Sequence, residues 1–279
     1  MAKTICIDGR LMDFSTPRIM GIINATPDSF FPGSRTPEAE GAARRALRHL
    51  ADGADILDVG GYSSRPGAEH IPADEEYSRL AGALEAIRRV APDAVISVDT
   101  FRATVARKCV EEWGVQIIND ISGGTLDPGM AETVADLQVP YVLMHTRGTP
   151  QTMASLTGYA DVTAEVLSDL AFKAAALRRA GVADIILDPG FGFAKTPEES
   201  LRLLGEMDAF AALDMPLLAG VSRKSMVWRT LGVTPDESLN GTTALHMAAL
   251  LKGADILRAH DVKEAAQCAA LFKALRHNH

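Results

Sequence analysis

Eight short apolar or β-branched runs, each ending in a polar or charged residue and each followed by a helical pattern, restrict what this chain can become. They span residues 18–24, 55–60, 94–99, 116–120, 140–145, 184–188, 216–221 and 255–258. Most are continuous rather than alternating, the pattern of parallel strands covered on both faces. Amphipathic helices are expected between them, among them 37–51, 74–90, 101–113, 162–180, 197–213, 236–252 and 261–276. Alternating strands and helices imply a parallel sheet with right-handed crossovers. Eight such units within 279 residues favour an α/β fold of the (β/α)8 TIM-barrel type, built as a single domain over 1–279, above an open doubly wound sheet.

Punctuation supports these boundaries. Thr36 before Pro37 and Thr196 before Pro197 read as N-caps with proline at the first helical position. Gly53, Gly114, Gly181 and Gly253 stand where a helix should stop. The leading segment, 4–14, carries an Asp8-Gly9 turn pair and predicts a short hairpin closing the barrel floor.

Composition narrows the partners. A net charge of −8 argues against nucleic acid or an anionic membrane surface, but not against a small anionic substrate, because a pocket makes its own field. Cys6, Cys109 and Cys268 are odd in number and far apart, which reads as reduced thiols. The first ten residues carry charges where a signal peptide needs an apolar core, and no run approaches 18 apolar residues. The expectation is a soluble cytoplasmic protein. His49, His70, His246, His277 and His279 read as surface or packing residues.

In such a barrel the loops after the strands form the active face. Strand by strand the runs break into Asn24, Asp58, Asp99, Asn119 with Asp120, His145, Asp188, Ser222 with Arg223 and Lys224, and Arg258 with His260. Any one aspartate there reads as a helix cap or turn former. Eight polar strand ends around one mouth must face one another, water or a ligand, since burying them unpartnered costs several kcal/mol each. The mixture of carboxylates, amides and cations suits a polar heterocycle with an anionic arm. Two loops stand out. Residues 24–34 carry the adjacent pair Phe30 and Phe31, which reads either as a lid or as packing against the first helix. Residues 60–67 set Arg65 among glycines and hydroxyls, a composition suited to an anion.

Taken in order, these segments resemble the dihydropteroate synthases. The resemblance rests on Asn-x-Thr-Pro-Asp-Ser-Phe from Asn24, Asp-x-Gly-Gly-x-Ser-x-Arg-Pro-Gly from Asp58 and Ser-Val-Asp-Thr from Ser97. It continues with Ile-Asn-Asp-Ile-Ser-Gly-Gly from Ile118, Asp-Pro-Gly-Phe-Gly-Phe from Asp188, Gly-Val-Ser-Arg-Lys-Ser from Gly220 and Arg-Ala-His-Asp from Arg258. It runs from about residue 17 to the C-terminus.

The resemblance implies condensation of (7,8-dihydropterin-6-yl)methyl diphosphate with 4-aminobenzoate by a dissociative displacement, with Mg²⁺, in folate biosynthesis. By similarity Asp99, Asn119, Met144, Asp188, Gly220, Lys224 and Arg258 hold the pterin, with Asp99, Lys224 and Arg258 as the catalytic set. Asn24, Arg65, Arg258 and His260 match the diphosphate site, and Asn24 matches the Mg²⁺-associated asparagine. Phe30, Ser64, Pro66, Phe193 and Ser222 match the 4-aminobenzoate site, with Ser222 expected to open a helix whose N-terminal dipole holds the carboxylate. Sulfonamides are expected to compete there, and the late helices, with small residues over 244–251 and 265–274, to support a homodimer.

The chain departs from the family pattern at Pro32, where an aspartate is common, at Tyr62 and Ser64, where Glu and Thr are common, and along 144–148. Asp28 remains in the first loop. Two other readings compete. A methyltetrahydrofolate-dependent methyltransferase would share Asp99, Asn119 and Asp188 but would not need Arg65 or the Arg258-x-His260 pair. A non-catalytic pterin-binding paralogue is suggested only by Pro32 and Tyr62.

Overall fold

The computed structural model describes residues 3–25, 37–63 and 70–277. The first two strands, β1 (Thr4–Ile7) and β2 (Arg10–Asp13), form an antiparallel hairpin in which Ile7 pairs with Arg10. Asp8 (φ 49°) and Gly9 (φ 75°) make the two-residue turn. Both are left-handed, the geometry whose twist matches a hairpin and for which Asp-Gly is suited.

The barrel strands follow: β3 (Arg18–Asn24), β4 (Ile56–Gly60), β5 (Ile96–Asp99), β6 (Ile117–Asp120), β7 (Tyr141–Met144), β8 (Ile185–Asp188), β9 (Leu218–Ala219) and β10 (Ile256–Ala259). Their order in the sheet is β8-β7-β6-β5-β4-β3-β10-β9, every pair parallel. A single bridge from Leu187 to Leu217 brings the last strand back to the first. The expected barrel is therefore present.

Helices α1 (Pro37–Ala51), α2 (Ala73–Val90), α3 (Ala103–Trp113), α4 (Met130–Leu137), α5 (Val162–Ala180), α6 (Pro197–Gly205), α7 (Ser225–Leu231), α8 (Leu239–Leu251) and α9 (Val262–His277) lie between and after the strands. Thr196 caps α6 through a reciprocal pair of bonds with Glu199. The segment expected as one helix over 197–213 ends at Gly205 and continues as a 3-10 stretch, Met207–Leu213. No helix among the described residues is long and apolar enough to cross a membrane.

The strands alternate after all, but between two hidden faces. Outward positions such as Leu57, Val59, Val98, Ile118, Leu143, Leu187 and Leu257 pack with helix residues such as Leu80, Val105, Val134 and Leu170 in the main core. Inward positions nearest the strand starts, Met20, Ile56, Ile117, Val142, Ile186, Leu218 and Ile256, form a second cluster with Ile5, Ile7 and Phe14 from the hairpin region. Each fully buried side chain of this size stabilises the fold by about 1.5–3 kcal/mol. The hairpin thus plugs the floor, tied below by Cys6 N to Asp184 (2.8 Å) and Lys3 Nζ to Asp255 (2.9 Å).

Candidate active site

Two residues further along the same strands, the interior changes from hydrocarbon to charge. Arg258 on β10 donates from Nε to Asp58 of β4 (2.6 Å) and from Nη2 to Asp99 of β5 (2.8 Å). Asn119 of β6 donates to the same Asp58 oxygen at 3.1 Å. These bonds join strands that are not sheet neighbours, so the groups meet across the barrel. Asp58 is fully buried, while Arg258 and Asp99 keep about a fifth of their side-chain surface open. Burial pushes Asp99 up to about 7, against the pull of Arg258 and with a further push from Asp58. Burial opposes the Arg258 cation, but Asp58 and Asp99 outweigh it and hold the guanidinium above its usual range.

Across the mouth Asp188, at the end of β8, is buried and accepts from Gly190 N at 2.7 Å. Lys224, in the turn before α7, donates to Phe191 O and lies 4.7 Å from the centre of the Phe193 ring. Burial brings its ammonium down to about 8, against the attraction of Asp188, and burial raises Asp188 above the ordinary carboxylate range despite Lys224. Between them stands Gly220. A Cβ there would sit 3.7 Å from Lys224 Nζ and 4.0 Å from Asp188 Oδ2, so both charged groups reach the space over this glycine and a side chain would meet them.

One wall of the mouth is apolar: Phe101, Ile121 and buried Met144, with Tyr62, Leu126 and Phe193 against them. On the remaining side, buried Ser222 accepts from His260 N (3.1 Å) and lies 3.1 Å from His260 Nδ1. Asn24 is exposed at the end of β3, in register with Gly60. A carboxylate and an ammonium meeting over Gly220, with Arg258 and His260 at the end of β10, offer the charges that a flat polar ring with a charged arm requires.

Residues 20–260 match the pterin-binding enzyme family. The chain is 42% identical over 260 residues to a dihydropteroate synthase of Synechocystis, covering 92% of this chain and 89% of that one. It belongs to the dihydropteroate synthases. Its structure is similar to that of the Xanthomonas albilineans dihydropteroate synthase with 4-aminobenzoic acid, at 36% identity, TM-score 0.91 and 99% coverage of each chain. A Yersinia pestis dihydropteroate synthase in a sulfonamide drug complex is similar at 36% identity and TM-score 0.91, over 98% of this chain and 99% of that one.

Within that family frame, Asp99, Asn119, Met144, Asp188, Gly220, Lys224 and Arg258 line one mouth, with Asn24, Phe193, Ser222 and His260 at the strand and loop ends above it. Phe30, Ser64, Arg65 and Pro66 lie outside the described residues, as do Asp28 and Pro32. One expectation is corrected. Ser222 does not open a helix: α7 starts at Ser225 with Lys224 as its cap, because Arg223 takes a left-handed conformation (φ 54°). The Ser222 hydroxyl is engaged with His260 instead. Asp120 proves to be a turn former, accepting from Ser122 N, Gly124 N and Tyr141 OH.

Two departures gain a physical account. Tyr62 meets Phe101 edge to face at 5.1 Å, accepts from Gln151 at 3.1 Å, and lies 5.4 Å from the Arg102 guanidinium, so it belongs to the apolar wall. Arg147 points away, paired with Glu165 at 2.5 Å and stacked on Tyr159 at 3.7 Å.

Sequence reasoning named Asp58 as a strand end without giving it a role, and it passed over Lys195. The Asp58 partner is 200 residues away in the chain, and Lys195 looks like an ordinary lysine ahead of a helix cap. Nothing local marks either one.

Proposed function

We propose that the chain condenses (7,8-dihydropterin-6-yl)methyl diphosphate with 4-aminobenzoate, releasing 7,8-dihydropteroate and pyrophosphate in folate biosynthesis. The observation that carries this reading is that the Asp188 carboxylate and the Lys224 ammonium come together over Gly220, 4.0 Å and 3.7 Å from where its Cβ would stand. An amino-pyrimidinone edge offers donors to a carboxylate and acceptors to an ammonium, and this pair supplies both. Asn119 and Asp99 complete the polar rim, Met144 closes the apolar side, and the flat guanidinium of Arg258 covers the ring while facing the phosphates.

The step is a displacement at the pterin methylene. The C–O bond breaks with its electron pair leaving on the diphosphate, positive charge spreads into the ring, and the arylamine lone pair forms the C–N bond. The amine proton then passes to solvent. Asp99, Lys224 and Arg258 act by fixed charge and position. Arg65, His260 and Asn24 are assigned to the departing diphosphate. Phe30, Ser64, Pro66, Phe193 and Ser222 are assigned to 4-aminobenzoate, where sulfonamides compete, as the drug complex of the Yersinia relative suggests.

The donor set fits Mg²⁺ held largely by substrate. Among the described residues no group of three or more His, Cys, Asp or Glu side chains forms a metal cage. The exposed carboxamide of Asn24 suits a hard cation that keeps waters and leans on phosphates. When bound, the ion would neutralise charge on the leaving group. In this reading residues 1–279 form one pterin-binding domain, assembled as a homodimer in the cytoplasm. Exposed Leu231, Leu251, Leu271 and Leu275 on the late helices support the dimer, and the free thiols of Cys6, Cys109 and Cys268 support the compartment.

The test follows pyrophosphate release from purified protein with both substrates and Mg²⁺. Turnover is expected. Its absence while the pterin still binds would overturn the reading in favour of a non-catalytic paralogue.

A further inference from the structure

The turn carrying Phe193 is held from behind by an amine that faces neither subsite. Lys195 is 5% exposed, and its Nζ lies 2.8 Å from His145 Nδ1, 3.1 Å from Gly190 O and 3.1 Å from Phe193 O. An ammonium has three N–H groups and no lone pair, so these three acceptors satisfy it, and His145 must accept through Nδ1. The imidazole is suited to accepting, because burial, and then Lys195 itself, push His145 down to about 2, which keeps the ring neutral.

The turn needs such a clamp. Gly190 (φ 70°), Gly192 (φ 76°) and Ala194 (φ 49°) alternate through the left-handed region within five residues. A Cβ on Gly190 would lie 2.0 Å from His145 O, so the backbone presses against the end of β7. The Phe193 amide closes the turn onto Gly190 O at 3.1 Å, and Lys195 ties both ends of that closure. On the opposite side Lys224 donates to Phe191 O in the same turn. In the proposed reaction Lys224 must turn to the pterin edge, which leaves Lys195 as the ammonium still holding the turn.

We infer that Lys195 is a positioning residue for the aromatic acid: it fixes the Phe193 ring and so governs affinity for 4-aminobenzoate without touching either substrate. The inference rests on the reaction proposed above. Burial brings the Lys195 ammonium down to about 7, with Lys224 and Arg147 lowering it further and Asp188 and Glu199 opposing. The amine is therefore held in place at a real electrostatic cost, which a surface lysine would not carry.

The test compares wild type, Lys195→Met, Lys195→Gln, Phe193→Ala and the Lys195→Met/Phe193→Ala double variant in steady-state assays with Mg²⁺. Absent turnover in wild type would sink the functional reading, whereas the variants address only the clamp. The expected result is a KM for 4-aminobenzoate raised about tenfold or more in Lys195→Met, with kcat and pterin affinity within about twofold of wild type. Lys195→Gln, whose carboxamide still donates, should fall between. In the Phe193→Ala background the lysine substitution should add nothing further. An unchanged 4-aminobenzoate KM would overturn the inference. So would equal losses for both substrates, additive effects in the double variant, or failure of both lysine variants to fold, each of which would make Lys195 a scaffold residue.

Discussion

On β10, Ile256 and Arg258 are two residues apart and both face the barrel interior; on β8 the pair is Ile186 and Asp188, and on β6 it is Ile117 and Asn119. The lower member of each pair belongs to the apolar cluster that includes Ile5, Ile7 and Phe14. The upper member is defined by named polar partners: Asp58 and Asp99 for Arg258, Asp58 for Asn119, and the Gly190 amide for Asp188. A floor position asks for volume, which several apolar residues can supply. A mouth position asks for one hydrogen-bonding pattern, because an unpaired neighbour left behind is costly. The two layers should therefore fail in different ways.

The largest contrast is expected from Arg258→Met, which strands the buried Asp58 and the mostly buried Asp99 together. Turnover should fall on the order of a thousandfold, and stability by about 3–5 kcal/mol, as when one partner of a buried ion pair is removed. Steady-state assay and urea unfolding read both. A variant that kept activity would break the comparison. The matching floor change, Ile256→Ala, should cost about 2–5 kcal/mol in urea unfolding while leaving the KM of the folded enzyme unchanged for both substrates. A shifted KM would mean that floor and mouth are mechanically coupled.

Gly9→Ala tests the plug itself. Its Cβ would meet nothing within 4 Å, so only the left-handed φ of 75° is strained. The expected loss is about 1–2 kcal/mol, with activity intact. An effect on turnover larger than on stability would refute a purely structural floor.

The smallest effect separates the layers by pH. Asp99 holds its proton up to about 7 when folded, against an ordinary 3.8. Between those values the folded chain binds more protons than the unfolded one. Its contribution to stability therefore falls as pH rises toward 7, and the penalty is complete above that. Asp99→Asn removes this titration, so its stability relative to wild type should rise from pH 5 to pH 8, from whatever baseline the lost pairing with Arg258 sets. A gap between the two unfolding curves that stayed constant with pH would contradict the assignment.

Much of this was legible in the chain. The boundaries of β3, α1 and α5 coincide with the expected segments, since long or strongly patterned runs carry their own punctuation. Short elements were not. Helix α4 has eight residues and α7 seven, too few for a helical period to stand out. The seventh run shrank to Leu218–Ala219, because Gly220 offers no side chain to pack. The continuous apolar runs concealed an alternation whose two faces are both buried. In the site, residues at strand ends could be picked out because the fold gives that position meaning. Lys195 and the Asp58 partnership depend on contacts across 50 and 200 residues, which no local pattern records.

The seam between β8 and β9 bears on how the barrel breathes. Seven of the eight joins are ladders, but this one is the single bridge from Leu187 to Leu217, assisted by Leu187 N to Pro216 O at 2.8 Å. Local opening draws on regions with the fewest backbone bonds. Asp188 caps one side of the seam, and Gly220 and Lys224 follow the other. Hydrogen–deuterium exchange should find the amide of Leu187 less protected than those of Leu57 or Val98, and a ligand spanning Asp188 and Lys224 should slow it. Substrate would then act as a rivet, closing a cylinder that its own backbone only bastes together.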